Sequence, residues 1–416
     1  MPRTWLFAQG LDLFSQLSGS SVAKNRLDNK GGEDARGEAP RSNGILQPAQ
    51  MIAVGQDSVR VLWAGWNDTL LQIDNVVELR GYTAGEHGAI QILCPPGISI
   101  FSGYGWTELQ GVVCSDGEIY SISAPASPNE SFLTLQPEFD LSDSFAQSIQ
   151  QVSVSGNGLV SVLHTKRTMI TVFDSYSKFK LHSLAKPTHM ARKEFKKHHK
   201  RAFTCVRAAE SHFVALDNRG YVWSWGVPNL HGELLRRSPA HMGDNNPGSV
   251  LQLLTPRLIP ALEGIEMAHI ATNGWVTACL SRETHDIYIW GWMDSGARIV
   301  GMPAVSGGDV AGIIDQFDEE ENLTVVSIGV ASGYVALVIE DSTTGRSSLY
   351  IAQPPAEHSL QHNPAASADQ NEEDGTTFRK VSGPWDTLLK TDDEIYRRPS
   401  LICSPAATFV AVARGY

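Results

Sequence analysis

A recurring hairpin motif restricts the folds that this chain can adopt. A glycine or small residue leads into a short apolar strand, a turn of Asp, Asn or Gly follows, and a second apolar strand returns. The clearest copy spans 209–226, where Asp217-Asn-Arg-Gly220 supplies turn residues that tolerate positive φ. A second copy spans 273–292. Repeats of this kind are typical of arrays in which each unit buries its apolar faces against its neighbours.

The number of copies predicts the architecture. Earlier copies lie at 64–74 and 104–120, weaker copies at 154–163 and 329–339, and the last copy at 404–412. About seven copies, spaced roughly 40 to 75 residues apart, predict an all-β chain that folds as a seven-bladed β-propeller. The strand 287–292 carries apolar residues on both faces, as expected between two neighbouring sheets. A two-sheet β-sandwich is the alternative, and the weak copy at 154–163 leaves the blade count open by one.

The two ends of the chain complement each other. Trp5–Gly10 resembles a returning strand that has no partner, and the last copy, Phe409–Val412, lacks a returning strand. Pairing the two in one blade would close the ring and remove two open sheet edges. We therefore expect a single domain over 1–416, closed by its terminal strands. Its expected flexible insertions are 20–50, 186–201 and 353–380.

The charge is unevenly distributed. With 33 Lys and Arg against 45 Asp and Glu, the net charge of −12 disfavours a protein that coats nucleic acid with its whole surface. The insertion 186–201 is nonetheless strongly basic, which suggests either a nuclear-localisation signal or nucleic-acid contact, or only a solvated insertion. Its candidate basic patch consists of Lys186, Arg192, Lys193, Lys196, Lys197, Lys200 and Arg201. The acidic run 315–321 is interpreted as a solvated loop, with a basic partner as the alternative.

The sequence contains no motif for catalysis. It lacks a G-x-S-x-G elbow, a phosphate-binding Gly-rich loop and an H-E-x-x-H motif. We predict no catalytic residue, no metal site, no cofactor and no enzymatic activity. The five cysteines include no C-x-x-C pair, which favours a reducing compartment, and Cys114 and Cys279 are predicted to be core residues. Without a signal peptide or an apolar membrane span, we expect a monomer in the nucleus, the cytoplasm or both.

Four tryptophans are candidate partner-binding residues. Trp66, Trp106 and Trp275 each follow a glycine near the start of a predicted blade strand, and Trp292 ends a returning strand. Large aromatic side chains either anchor the packing between blades or form an exposed rim that binds a peptide or protein. Both interpretations stay open at the level of sequence.

These segments resemble a known repeat. Trp223-Ser-Trp-Gly226 and Ile289-Trp-Gly-Trp292 are similar to the returning strand of the regulator-of-chromosome-condensation (RCC-type) repeat, and 14–19 and 230–234 resemble its tail. Within that family, residues 205–305 look most similar to the animal RCC-domain member that partners a Jumonji-domain histone demethylase. The sequence departs from the family in lacking several Trp-Gly pairs and in carrying Ser211-His212 where the repeat has His-Ser.

The resemblance implies several functions. It favours a non-catalytic scaffold or regulatory subunit linked to chromatin, with a Jumonji-type oxygenase or another chromatin factor as partner. One alternative is a guanine-nucleotide exchange factor for a Ran-type small GTPase, although no loop that performs exchange can be identified here. Two more functions stay open, namely regulation of tRNA modification and diphthamide synthesis, and nucleosome or nucleic-acid binding through the basic insertion.

Overall fold

The computed structural model describes residues 4–10, 47–81, 83–84, 89–123, 132–138, 149–164, 169–180, 189–190, 202–227, 234, 253–292, 312–314, 322–331, 334–352, 378–381, 400–403 and 407–413. Over these residues the chain is all-β, as predicted, with one short α-helix, α1 (Tyr176–Lys180). None of the helices in this part of the chain is long and apolar enough to cross a membrane.

The strands follow one another along the whole chain. They are β1 (Thr4–Gly10), β2 (Gln47–Gly55), β3 (Val59–Ala64), β4 (Asp68–Ile73), β5 (Val76–Gly81), β6 (Ala89–Leu93), β7 (Ile100–Tyr104), β8 (Gly111–Cys114), β9 (Ile119–Ser123), β10 (Phe132–Pro137), β11 (Ile149–Val154), β12 (Val160–His164), β13 (Met169–Phe173), β14 (His189–Met190), β15 (Phe203–Ala208), β16 (His212–Asp217), β17 (Val222–Gly226), β18 (Arg257–Leu258), β19 (Met267–Asn273), β20 (Trp275–Ser281), β21 (Ile287–Trp292), β22 (Gly312–Ile314), β23 (Leu323–Ala331), β24 (Tyr334–Asp341), β25 (Arg346–Ala352), β26 (Phe378–Val381), β27 (Ser400–Cys403) and β28 (Ala407–Ala413).

The chain divides into two compact units, Met1–Ile149 with Ser382–Tyr416 (unit 1) and Gln150–Val381 (unit 2). Unit 1 holds a four-stranded sheet, β2-β1-β28-β27, and an eight-stranded sheet, β3-β4-β5-β6-β10-β9-β8-β7. The eight-stranded sheet consists of two antiparallel groups of four, which are joined by a parallel pair between β6 and β10. The other sheets each contain four consecutive antiparallel strands, β11–β14, β15–β18, β19–β22 and β23–β26.

The terminal strands share one sheet. β1 pairs with β28 along its full length, from Thr4 opposite Ala413 to Gly10 opposite Ala407. The expected insertion bounds need correction, because β2 begins at Gln47 and β26 at Phe378, inside the segments predicted as loops. The basic insertion likewise contains the short strand β14. The weakest sequence copy, near Val154, forms a full four-stranded sheet.

The central strand β16 buries both of its faces. In β16, Phe213 and Ala215 pack into a core cluster shared with the β11–β14 sheet. Val214 and Leu216, on the other face, pack into a cluster shared with the β19–β22 sheet. A sheet in a two-sheet sandwich buries only one face, so this arrangement differs from a β-sandwich.

An aspartate organises the clearest hairpin. The Oδ1 atom of buried Asp217 accepts hydrogen bonds from the backbone N–H groups of Arg219 (2.9 Å) and Tyr221 (3.0 Å). Its Oδ2 atom accepts one from the indole Nε1–H of Trp223 at 3.1 Å. Gly220 closes the turn with a φ of +84°. One carboxylate thus fixes both the turn and the aromatic residue of the returning strand.

Candidate functional site

The candidate tryptophans lie at the same kind of position in their sheets. Trp66 and Trp106 lie in the loops that join the first and second strands, and Trp275 begins the second strand β20 directly after such a loop. We call these connections the first loops: 65–67 and 105–110 in unit 1, and 155–159, 209–211 and 274 in unit 2. All three tryptophans are half-buried. Among the tryptophans whose side chains the structure describes, the fully buried ones are Trp223, Trp225 and Trp290, on third strands.

Neighbouring first loops are joined by backbone hydrogen bonds. In unit 1, Asn67 N–H donates to Thr107 C=O at 3.2 Å. In unit 2, Asn157 N–H donates to Glu210 C=O at 2.8 Å, and Glu210 N–H donates to Gly274 C=O at 2.7 Å. Neighbouring first loops therefore form a hydrogen-bonded strip within each unit, of two loops in unit 1 and three loops in unit 2. Such a strip is more rigid than isolated loops, because each loop constrains the next.

A buried carboxylate supports the Trp66 loop. Asp68 has no exposed surface, and it accepts hydrogen bonds from the backbone N–H (2.8 Å) and the hydroxyl (2.7 Å) of Thr83. Its backbone carbonyl accepts a bond from Gly65 N–H at 2.9 Å. Burial raises the pKa of Asp68, and the nearby charge of Glu108 adds to the effect. The Thr83 bonds oppose this rise and hold the carboxylate in place below the loop.

Trp63 is a further aromatic residue at this site that sequence reasoning missed. Its indole Nε1–H donates to the carbonyl of Gly105, in the next first loop, at 3.3 Å. A Cβ atom on Gly65 would lie 2.4 Å from the Trp63 ring, so the glycine is needed for this close approach. A register shift between Val61 and Trp63 marks a bulge that re-aims the side chain. No period-two pattern in the sequence could have revealed it.

The Trp275 loop is built on two glycines. Gly274 adopts a φ of +56°, and Trp275 lies opposite Trp292 in the β20–β21 pairing. Gly291, opposite Val276, has a φ of +102°, and a Cβ atom there would lie 1.8 Å from the carbonyl oxygen of Trp275. The structure thus brings the backbones of Trp275 and Trp292 together. The side chain of Trp292 lies outside the described part of the structure.

A buried histidine links the first-loop ends of two sheets. The Nε2 atom of His212 lies 3.0 Å from Thr277 Oγ1, which lies 2.9 Å from Thr272 Oγ1. Thr272 donates its own hydroxyl proton to the carbonyl of Val276 at 2.7 Å. Thr277 must therefore donate to Thr272, which leaves His212 Nε2–H as the donor to Thr277. Burial lowers the pKa of His212 to about 3, so the imidazole is neutral.

This histidine makes stability pH-dependent. The folded-state pKa of about 3 lies below the unfolded value of 6.5, so protons bind the unfolded chain preferentially between these limits. The contribution of the neutral histidine to the free energy of unfolding is complete above pH 6.5. It falls by about 1.4 kcal/mol for each pH unit below that value. Urea unfolding should show that the stability difference between the wild type and His212→Gln narrows by about 2–3 kcal/mol from pH 6.5 to about 4.5. A difference that stays constant across this range would contradict the assignment.

The structure describes only some of the other candidate residues. The basic patch from Lys186 to Arg201 lies outside the described residues, apart from the backbone of β14, which pairs with β13. Cys114 and Cys279 are buried core residues, as predicted, and burial raises the pKa of both thiols, that of Cys114 to about 12. Among the residues that the structure describes, no group of three or more His, Cys, Asp or Glu is arranged to hold a metal ion.

Part of the sequence matches two animal proteins. The chain is 36% identical to mouse RCC1 domain-containing protein 1 over 132 residues, which make up 30% of this chain and 31% of the mouse protein. It is 45% identical to the human protein of the same name over 85 residues, or 20% of this chain and 19% of the human protein. The chain thus spans less than a third of either relative's length. No protein-family model matches it.

The fold matches solved structures over nearly the whole chain. Human WBSCR16 superimposes with a TM-score of 0.57 at 12% identity, covering 98% of this chain and 99% of that protein. Yeast RCC1 (Prp20), solved with Kap60 bound, gives a TM-score of 0.57 at 13% identity, covering 100% of this chain and 90% of that protein. At such low identity these likenesses show the fold alone. Together with the animal relatives, they confirm the predicted resemblance to RCC-type repeat β-propellers.

Proposed function

We propose that this RCC-type repeat protein is a non-catalytic interaction scaffold that binds a protein partner across its first loops. The observation that carries the proposal is the strip of hydrogen-bonded loops that displays half-buried tryptophans. Trp66 and Trp106 lie on adjacent loops in unit 1, which are joined by the bond from Asn67 to Thr107. Trp275 lies beside the equivalent strip in unit 2.

Half-buried tryptophans suit protein recognition for a physical reason. A tryptophan held by packing loses little conformational freedom when a partner covers its remaining surface. Such anchors dominate the energy of many interfaces when rigid neighbours surround them. Here the support comes from buried Asp68 beneath the Trp66 loop and from the Trp63–Gly105 bond beside it.

We further propose that the sheets form a closed ring of seven blades. The described strands fall into seven groups of four, if the eight-stranded sheet is counted as two. The pairing of β1 with β28 supports closure by the two chain ends. In a ring of this kind the connections between first and second strands lie on one face.

The partner we propose is a nuclear protein, specifically a Jumonji-type oxygenase or another chromatin factor. This choice rests on the sequence resemblance of residues 205–305 to the animal RCC-domain member, and the names of the matching animal proteins state only an RCC1 domain. Yeast Prp20p, whose crystal structure is known, has binding properties to Gsp1p and histones. These are partners of the yeast protein. A small GTPase is therefore the second candidate partner. The basic segment 186–201 stays a predicted contact to nucleic acid or to a nucleosome.

Affinity purification from the protein's own cells tests the proposal. We expect a stoichiometric partner to be recovered with the wild type and to be reduced about tenfold or more with the Trp66→Ala/Trp106→Ala double variant. Phe101→Ala is the matched control, because Phe101 is 52% exposed but lies in strand β7 rather than in a first loop. Equal recovery with all three proteins would contradict the proposal.

A nucleotide-release assay separates the two candidate partners. A scaffold leaves the release of bound GDP from a Ran-type GTPase unchanged, whereas an exchange factor accelerates it. Faster GDP release in the presence of the wild-type protein would contradict the non-catalytic scaffold and support the exchange-factor alternative.

A further inference from the structure

The first loops carry acidic side chains but no basic ones. Their charged residues are Glu108, in the loop 105–110, and Glu210, in unit 2. Over the residues that the structure describes, none of these loops contains Lys, Arg or His. The hairpin turns at the other end of the sheets carry both signs, for example Arg219 and Glu283. The first loops therefore offer a ligand carboxylates and no cationic side chain.

The loop that contains Glu108 is already ordered. Gln110 N–H donates to Tyr104 C=O at 2.9 Å, which closes the loop at its base. Gly105 has a φ of +149°, and a Cβ atom there would overlap the carbonyl oxygen of Glu108, so the loop folds back on itself. A ligand that binds this loop pays little entropy for ordering it.

Two half-buried tryptophans lie close to exposed Glu108 in unit 1. Trp106 is two residues away in the same loop, so the Cα atoms of the two residues are no more than about 7 Å apart. The loop that carries Trp66 is in contact with this loop, because a Cβ atom on Gly65 would lie 2.8 Å from the carbonyl oxygen of Trp106. Indole rings attract cations through their electron-rich faces. Aromatic rings and a carboxylate thus occur together on two adjoining loops.

The charge of Glu108 has no counterion in this part of the molecule. Within the described ranges its carboxylate takes part in no ion pair, unlike that of Glu266, which pairs with Arg282 at 3.2 Å. Burial, and after it the charge of Glu108, raises the pKa of Asp68 below the neighbouring loop. A cationic group that binds beside Glu108 would compensate its charge.

We propose that an arginine side chain of the protein partner binds at Glu108 and the adjacent tryptophans, Trp66 and Trp106. Charge complementarity carries the assignment, and a guanidinium can stack on an indole while it donates hydrogen bonds to a carboxylate. Lysine fits less well, because its ammonium is compact and strongly hydrated and does not stack. The inference rests on the proposed function and deepens it, since it names the chemistry by which the partner contacts the first loops.

A short arginine peptide tests the site without the natural partner. The probe is a glycine–serine peptide with one arginine, and its matched forms carry lysine or the neutral isostere citrulline instead. We expect the arginine peptide to shift the indole Nε1–H NMR signals of Trp66 and Trp106 in the full chain, but not that of fully buried Trp223. Its affinity should fall as salt is added, and it should exceed that of either matched peptide about threefold or more.

A glutamate variant tests the part played by the carboxylate. Glu108→Gln should weaken binding of the arginine peptide about threefold or more, because it removes the charge and keeps the shape of the side chain. Glu283→Gln is the matched control, since Glu283 is an exposed glutamate in the hairpin turn 282–286. The inference is wrong if the two variants bind alike, or if the lysine or citrulline peptide binds as tightly as the arginine peptide.

Distinct outcomes separate this inference from the proposed function. If the Trp66→Ala/Trp106→Ala variant loses the natural partner while Glu108→Gln leaves peptide binding unchanged, the proposed function stands and the inference is wrong. If that double variant recovers the partner as well as the wild type does, both are wrong. Loss of the partner with the double variant, together with weaker peptide binding by Glu108→Gln, supports both.

Discussion

Replacing Gly291 by alanine is expected to lower the free energy of unfolding by about 3–5 kcal/mol. The residue has a φ of +102°, which side chains rarely adopt, and its Cβ atom would lie 1.8 Å from the carbonyl oxygen of Trp275. That oxygen belongs to backbone and cannot move without displacing β20. The variant should therefore both destabilise the fold and disturb the Trp275 loop. Urea unfolding followed by tryptophan fluorescence measures the effect.

Gly274 provides the matched control. It flanks the same tryptophan and has a φ of +56°, but a Cβ atom there would meet nothing within 4 Å. Gly274→Ala should therefore cost only about 1–2 kcal/mol, the penalty of a left-handed backbone conformation. Equal losses in the two variants would show that the close contact with Trp275 is not what requires glycine at 291.

Removing residues 400–416 is expected to abolish folding of unit 1. The truncation deletes β27 and β28 and so leaves β1 without the strand that it pairs with along its full length. Leu6 and Ala8 of β1 have no exposed surface and pack with Val59 and Leu71, so the loss would extend into the next sheet. We expect a loss of about 5 kcal/mol or more, comparable to the stability of a whole domain, and aggregation through the open edge.

Size-exclusion chromatography and circular dichroism measure the outcome. Shortening the segment 20–40, which the sequence predicts to be a loop, is the control and should change stability by less than about 1 kcal/mol. A truncated protein that stays monomeric with wild-type unfolding would contradict closure by the terminal strands.

Much of the fold could be predicted because hairpins are local. Asp217 and Gly220 form their turn with neighbours a few residues away, so the sequence 209–226 contains all the information that the hairpin needs. The pairing of the two end strands could also be predicted, because neither strand has an obvious pairing strand close to it in the sequence. The parallel pair between β6 and β10 could not, because it joins two groups of strands through their outer edges.

The candidate site was harder to predict. The extent to which a tryptophan is buried depends on its position in the sheet: Trp66, in a first loop, is half-buried, whereas Trp290, within a third strand, is fully buried. The hydrogen bonds that join first loops connect residues far apart in the chain, such as Glu210 and Gly274. The link from His212 to Thr277 is of the same kind. None of these contacts leaves a periodic signal in the sequence.

Hydrogen–deuterium exchange of the protein, alone and with its purified partner, tests the central claim most directly. Within each sheet the first loops and the hairpin turns lie at opposite ends of the second strand, so protection reports which end the partner covers. We predict slower exchange on binding at 65–67, 105–110 and 274–275, and no change at the turns 217–220 and 341–345. Protection at those turns, with the first loops unchanged, would contradict the proposal that the tryptophan-bearing loops bind the partner.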